Sequence, residues 1–348
     1  MNVNNNSHDV LVVGAGISGL SAAVGAVRAG RRVLIVRGTV SSASSAAAGM
    51  LSPAAEATWS DIASREILQE AYSGWFEKRW ASNFGTTFRR VGSLFVGLHA
   101  SDRLEHGRQR EVRKCFGATT SPLTSAESPV LFRGVSPRLG LADFASEDGY
   151  VDSDEVLRQI ESFLVGEGVA FFDADVLSYE ENGESVRAIT TSGEIEARVG
   201  FAATGYSTLQ PGNFDAGTIR PLRGITIRLD TNNHDSLPMI RGIVEGRSLY
   251  VVRRDDGVAI IGSSSEESAA RHIEARWVQQ LLSDSFRLLP DLENATLSDI
   301  RVGIRPTTSD HLPVFRRVSG GWSVVNGSYR HGFLLAPWVA SMTDKSLR

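Results

Sequence analysis

The sequence predicts an α/β protein, and three observations carry the prediction. An apolar run of strand type, Val10 to Val13, ends in Gly14-x-Gly16-x-x-Gly19 and opens into an Ala-rich helix. A second apolar run, Arg32 to Val36, follows at the spacing of a strand–helix–strand unit. A late strand, Gly321 to Asn326, leads through a second glycine-containing turn into an apolar helix start at Gly332. Together they predict a Rossmann-like dinucleotide-binding unit that is discontinuous in sequence. The strands between its pieces predict a second unit built on a mixed or antiparallel sheet, so α+β elements accompany the α/β core.

The first turn has a separate task for each glycine. Gly14 permits the tight turn, Gly16 lets a pyrophosphate approach the backbone, and Gly19 lets the helix pack close on the strand. The free N–H groups of the helix start, with the positive end of its dipole, then face phosphate. The second strand ends at Arg37, where an acid usually bonds the ribose hydroxyls. Arginine at that place points instead to a 2′-phosphate, but the chain has no second GxGxxG of the kind a two-nucleotide reductase needs.

Next comes a run of small residues, Ser41 to Leu51, which suits a backbone lying flat against a planar ligand. Residues 61–83 read as a helix with Ile67, Ala71, Trp75 and Trp80 on or near one inward face. Val91 to Val96 is a strand, and residues 101–116 form a charged helix expected to be solvated. Asp152-x-x-Glu155 is a capping box for a helix carrying Val156, Ile160, Phe163 and Leu164, closed by Gly166 and Gly168. A hairpin then turns at Glu181-Asn182-Gly183, and Val199 to Gly205 is a buried strand ending in a small-residue turn. Strands are expected at 222–229, 249–252 and 258–261, and a helix at 271–288 with Trp277, Leu281 and Phe286 inward. The nucleotide lobe is expected to comprise 8–85, 149–218 and 300–348, and a substrate lobe 86–148 and 219–299.

Composition narrows the function classes. The 348 residues are 42% hydrophobic and 22% charged, ordinary for a globular protein. A net charge of −4 gives no case for nucleic acid or an anionic membrane as partner. No apolar run reaches the length of a membrane span. Met1 to Ser7 is polar and lacks the features of a signal peptide, so a frayed tail and a cytoplasmic location are expected. Cys115 is the sole cysteine, which excludes an intramolecular disulfide and a CxxC redox pair; it is expected to be buried or half-buried. The seven histidines show no metal-ligand spacing, so no metal is expected.

Five segments together resemble the D-amino acid oxidase family of FAD enzymes, and within it the glycine-oxidase branch of the thiamine-pathway type. They are Gly14 to Gly19, Ser45 to Leu51, Leu249 to Arg254 with Gly257 to Gly262, Gly303-Ile-Arg305-Pro-Thr-Thr-Ser-Asp310 with Leu312-Pro313, and Tyr329-Arg330-His331-Gly332-Phe333-Leu334-Leu-Ala-Pro337. The resemblance implies non-covalent FAD, because Cys115 lies away from every flavin segment. It implies cofactor contacts at Gly14, Gly16, Ile17, Ser18, Gly19, Arg37, Ser45, Ala47, Ala48, Gly49, Met50, Val176, Thr204, Gly205, Arg305, Arg330, His331, Gly332, Phe333 and Leu334.

It also implies catalytic roles for Tyr250, Arg305 and Arg330. Arg305 supplies a planar fork for a carboxylate and Tyr250 a hydroxyl donor to the same group. Arg330 raises the local positive potential, which favours the neutral amine that oxidation needs. His331 is a spacer in the flavin loop. Arg37, Ser328 and Ile225 depart from the family pattern. The implied activity is oxidative deamination of glycine or a related small amine, with O2 as oxidant and hydrogen peroxide as product. The alternative is a dehydrogenase or biosynthetic tailoring flavoenzyme of the same fold, with another acceptor or another amine. Association into a homo-oligomer is left open.

Overall fold

The computed structural model describes residues 8–52, 54, 63–76, 80–85 and 87–348. The polar tail Met1 to Ser7 and parts of the expected 61–83 helix lie outside the described residues.

Two sheets organise the chain. The smaller has six strands in the order Val314–Arg317, Trp322–Asn326, Val199–Ala202, Val10–Val13, Val33–Arg37 and Ala170–Asp173. Every neighbouring pair is parallel except the first. Val10–Val13 sits at its centre with all four residues buried, as expected of a strand covered on both faces. The first helix, Ile17–Arg28, and the last, Gly332–Leu347, pack together on one face, and Gly25 lets them touch. A Cβ there would stand 2.3 Å from the Ala340 carbonyl oxygen.

The last helix contains Pro337, which has no N–H to give to the carbonyl four residues back. That carbonyl, of Phe333, accepts a hydrogen bond from the Trp75 indole N–H at 3.0 Å, and the Leu334 carbonyl shares it at 3.1 Å. Trp75 belongs to the helix Arg65–Phe76, which buries Leu68, Ala71 and Trp75; the helix ends earlier than the sequence suggests, and Trp80 is buried beyond it. These residues share one apolar core with Val12, Leu20, Ile160 and Leu335.

The larger sheet has nine strands and carries a separate core. Its hydrogen-bonded order is Glu266–Glu267, Arg220–Asp230, Val258–Gly262, Arg247–Arg253, Met239–Val244, Ser93–Gly97, Leu141–Ala145 and Ser121–Thr124, with Thr296–Thr307 also paired to Arg220–Asp230. The boundary expected at residue 300 therefore falls inside a strand that belongs wholly to this sheet. The helix Ala275–Leu288 covers it through Leu281 and Leu288; Trp277 and Phe286 are only half-buried. The capping residue Asp152 accepts from the N–H groups of Asp154 and Glu155, the N-cap half of the expected box, while the Glu155 carboxylate accepts from Gln159.

Two expectations are corrected. The helix Ala100–Cys115 is not simply a solvated face, because His106, Val112 and Arg113 are buried against the sheet. Cys115, at its end, is exposed rather than buried. Its neighbour Phe116 takes the apolar position instead.

Candidate active site

A cavity of about 850 Å3 runs between the two sheets. One stretch is built by the first glycine turn. Gly14 has φ of 107°, and a Cβ there would stand 2.3 Å from the Ala203 carbonyl oxygen, so only glycine fits. Gly19 is needed equally, because its Cβ would fall 1.9 Å from the Gly14 carbonyl oxygen. The helix start that follows lines the cavity with Gly16, Ile17 and Ser18. Ile17 N–H donates to Ser44 Oγ at 3.0 Å, which lays the small-residue run across the helix start.

That run is pinned from several directions. The Ala46 carbonyl accepts from Thr226 Oγ1, the Ala47 carbonyl from Ser153 Oγ, and the Ser45 carbonyl from Arg301, whose guanidinium also pairs with Asp154. The backbone of Ala47, Ala48, Gly49 and Met50 is thereby held along the cavity wall.

At the far end Arg37 is turned to its neighbours. It pairs with Asp173, directly opposite on the next strand, at 2.7 Å and with Glu161 at 3.5 Å. The hydrogen bond that Arg37 donates to the Asp173 carboxylate raises the Arg37 pKa above its ordinary value. Asp175 holds Thr39 through both its N–H and its hydroxyl. Acids therefore stand at this end after all, but they come from the segment after Ala170–Asp173 rather than from the end of the second strand. Val176, Thr204 and Gly205 complete this part of the wall.

At the opposite end the larger sheet supplies the polar groups. The Arg305 guanidinium lies over Gly224, where a Cβ would be 2.3 Å from Nη2. It donates to Ser263 Oγ and, at 3.4 Å, to the Ser264 carbonyl. Tyr250 lies over Gly262 in the same way, its hydroxyl 2.2 Å from where a Cβ would be. The two glycines open the space into which these side chains fold. The Tyr329 N–H donates to the Pro306 carbonyl at 2.8 Å, tying the last loop to the Arg305 strand. Arg330 lies over the Tyr329 ring, and Gly332 and Phe333 start the last helix at the wall.

Of the residues expected in the site, Gly19, Ser45, His331 and Leu334 do not line the cavity; they stand one layer behind it. His331 heads the last helix, its N–H bonded to the Ser328 carbonyl and its carbonyl accepting from Leu335 N–H. The remaining expected residues do line it, Arg37 and the three catalytic candidates included. Sequence reading missed Ser44, Thr39, Asp175, Ser263, Arg241 and His106. Ser44 was within reach, since it lies in the small-residue run. Asp175 and Arg241 become visible only once strand pairing is known.

The family model for FAD-dependent oxidoreductases matches residues 9–345. This chain belongs to that family. The bifunctional protein ThiO/ThiG of Trichormus variabilis is 28% identical over 354 residues, which cover 97% of this chain and 52% of that protein. The chain thus spans about half the length of the first curated relatives it matches. The glycine oxidase of Geobacillus kaustophilus is 26% identical over 352 residues, covering 95% of this chain and 90% of the relative. The crystal structure of glycine oxidase from the same organism superimposes with a TM-score of 0.84 at 21% identity, over 98% of this chain and 94% of that one. The oxidoreductase takes FAD as its cofactor. Its site fits the group: a glycine cradle faces a helix N-terminus, and a small-residue backbone flanks the cavity.

Proposed function

We propose that this oxidoreductase oxidises glycine or a closely related small amine that carries a carboxylate. The observation that supports the reading is the convergence of Arg305 and Tyr250, folded over Gly224 and Gly262, in the cavity that the helix starts at Ile17 and Gly332 also line. Gly14, Gly16, Ile17, Ser18, Thr39 and the backbone of residues 46–50 would hold FAD without a covalent bond, since Cys115 is exposed and does not line the cavity. When bound, FAD would supply the two-electron acceptor for oxidation of the substrate Cα–N bond, with O2 as the final oxidant and hydrogen peroxide as the product.

The chain's own residues arrange the substrate for that oxidation. Arg305 presents two parallel N–H donors to the carboxylate, and the bonds to Ser263 and Ser264 fix the plane of the fork. The Tyr250 hydroxyl donates to the same carboxylate. Arg330 and the positive end of the last helix make an ammonium unfavourable, so the amine is held with its lone pair free. That lone pair forms the C=N bond as the hydride leaves, and the imine is then hydrolysed to the carbonyl compound and ammonia or amine.

The test is anaerobic mixing of holoenzyme with glycine, sarcosine and a panel of D- and L-amino acids while flavin absorbance is followed. Bleaching by a small carboxylate-bearing amine, with peroxide formed on admission of air, is expected. Bleaching by NADPH with none by any amine would overturn the reading.

A further inference from the structure

The row of side chains that carries Tyr250 continues past it. Arg241 lies directly opposite Tyr250 in the larger sheet, and Phe95 directly opposite Arg241, so all three project from one face. The cavity reaches along this row and takes in Phe95, His106, Gln109 and Arg241 beyond the Arg305–Tyr250 pair. Glycine needs nothing there.

Two guanidinium groups approach Tyr250 from opposite sides. Arg305 is rooted on Thr296–Thr307 and Arg241 on Met239–Val244, four strand positions apart in the sheet, or ~19 Å at ~4.8 Å per strand. Arg305 leans across Gly224 to reach Ser263, which follows Val258–Gly262. Arg241 leans towards Arg247–Arg253, its guanidinium carbon 5.7 Å from the Tyr250 ring centroid and one nitrogen 3.5 Å from Met50 Sδ. The Arg305 head thus stands over Gly224 on Arg220–Asp230 and the Arg241 head beside Tyr250 on Arg247–Arg253, two strand spacings or ~10 Å apart. That span leaves room between the two guanidinium groups for a small dicarboxylate such as aspartate or N-(carboxymethyl)glycine, each acid hydrogen-bonded to one of them. Further along the row, Arg110 and Arg113 are engaged by Asp143.

We propose that Arg241 binds a second acidic group of the substrate, so that the preferred class is amines bearing two carboxylates. One carboxylate is held by Arg305 and Tyr250, the other by Arg241, and the amine lies between them. The proposal rests on the reading of Arg305 and Tyr250 as the carboxylate clamp. The second acid is attached either to the substrate nitrogen or to its side chain, and both attachments present the same chemistry to Arg241. His106 adds a neutral wall. Its Nε2 lies 2.8 Å from the Val96 carbonyl oxygen and donates to it, which fixes the ring in place.

The experiment compares substrates within each enzyme form. Wild-type holoenzyme is assayed for flavin reduction by glycine, sarcosine, iminodiacetate, D-aspartate and L-aspartate. A charge-assisted pair predicts kcat/KM ~10–100-fold higher for a dicarboxylate than for glycine. Iminodiacetate and the aspartates separate attachment at nitrogen from attachment at carbon. Arg241→Gln is expected to lower the dicarboxylate-to-glycine ratio by the same factor, and Arg241→Lys to restore part of it. A binding readout accompanies the rates: acetate and malonate as competing ligands, followed by the shift of the flavin spectrum. Malonate should bind more tightly than acetate, and Arg241→Gln or Arg241→Lys should shrink that advantage. A wild-type preference for glycine over every dicarboxylate would overturn the proposal. So would an Arg241 variant that leaves the malonate-to-acetate ratio unchanged. If instead Arg305→Ala leaves acetate binding intact, the clamp itself is misplaced, a separate failure that the acetate arm reads alone.

Discussion

At the scale of the residue, the sharpest expectation concerns Arg305. Pro306 fixes the chain behind it, and Ser263 and Ser264 fix the guanidinium in front. A carboxylate that loses such a partner costs about 2–5 kcal/mol. Arg305→Ala should therefore lower kcat/KM for carboxylate-bearing amines by at least about 100-fold while FAD stays bound. Arg305→Lys should recover only part, because an ammonium lacks the fork. Tyr250→Phe removes one neutral donor and should cost about 1 kcal/mol. Steady-state rates beside a flavin spectrum check all three.

Arg37 illustrates how a neighbour reverses a sequence argument. Read alone, its place at the end of the second strand suggests that Arg37→Glu would tighten FAD by restoring the usual acid. With Asp173 opposite and Glu161 beside it, the substitution gathers three carboxylates, so FAD should bind more weakly. Arg37→Ala should change stability by less than about 1 kcal/mol, since the pair is exposed. Cofactor titration of the apoprotein separates the two outcomes.

At the scale of the element, the helix Ala100–Cys115 shows why pattern reading has a limit. Its composition is that of a solvated helix, and periodicity gives no reason to bury a histidine. His106 is nevertheless 6% exposed, and burial lowers its pKa from 6.5 to about 4. The unfolded chain therefore binds more protons than the folded one between those values, and stability must fall as pH drops from about 6.5 towards 4. The full effect is about 3 kcal/mol. Urea unfolding at pH 7 and pH 4.5 should show that loss, and His106→Gln should flatten it.

The last helix makes a complementary case. Pro337 within it reads as a helix breaker, yet the helix runs on because Trp75 supplies the missing donor to Phe333. Trp75→Phe keeps most of the apolar area and removes that N–H. It should cost about 1–3 kcal/mol, the penalty for an unpaired buried carbonyl, and lower the melting temperature accordingly.

At the scale of the whole molecule, the sequence shows most of what nearest neighbours in the chain decide. The glycine turn, the strand–helix–strand unit, the cap at Asp152 and the loop at Tyr329 to Phe333 all appear where local rules put them. What escapes is set by pairing between distant segments. Arg241 matters because it stands opposite Tyr250, Asp175 because it follows the strand beside Arg37, and the strand at residue 300 because it pairs along its length with Arg220–Asp230.

The same long-range closure governs how FAD is held. The cavity wall is contributed by both sheets, and the segments that line it include the first helix start, the small-residue run, the Arg305 strand and the last loop. FAD bound there is linked to global folding. Anything that binds only the folded state adds RT ln(1 + [L]/Kd), about 2.7 kcal/mol at a ligand concentration 100 times Kd. The apoprotein should therefore melt below the holoprotein, and the difference should grow with the logarithm of added FAD. A covalent flavin would show no such concentration dependence, because its occupancy is fixed. Acid precipitation gives an independent reading: the yellow colour should appear in the supernatant. Colour retained in the precipitate, with a melting temperature indifferent to free FAD, would mean that a side chain other than the exposed Cys115 holds the flavin covalently.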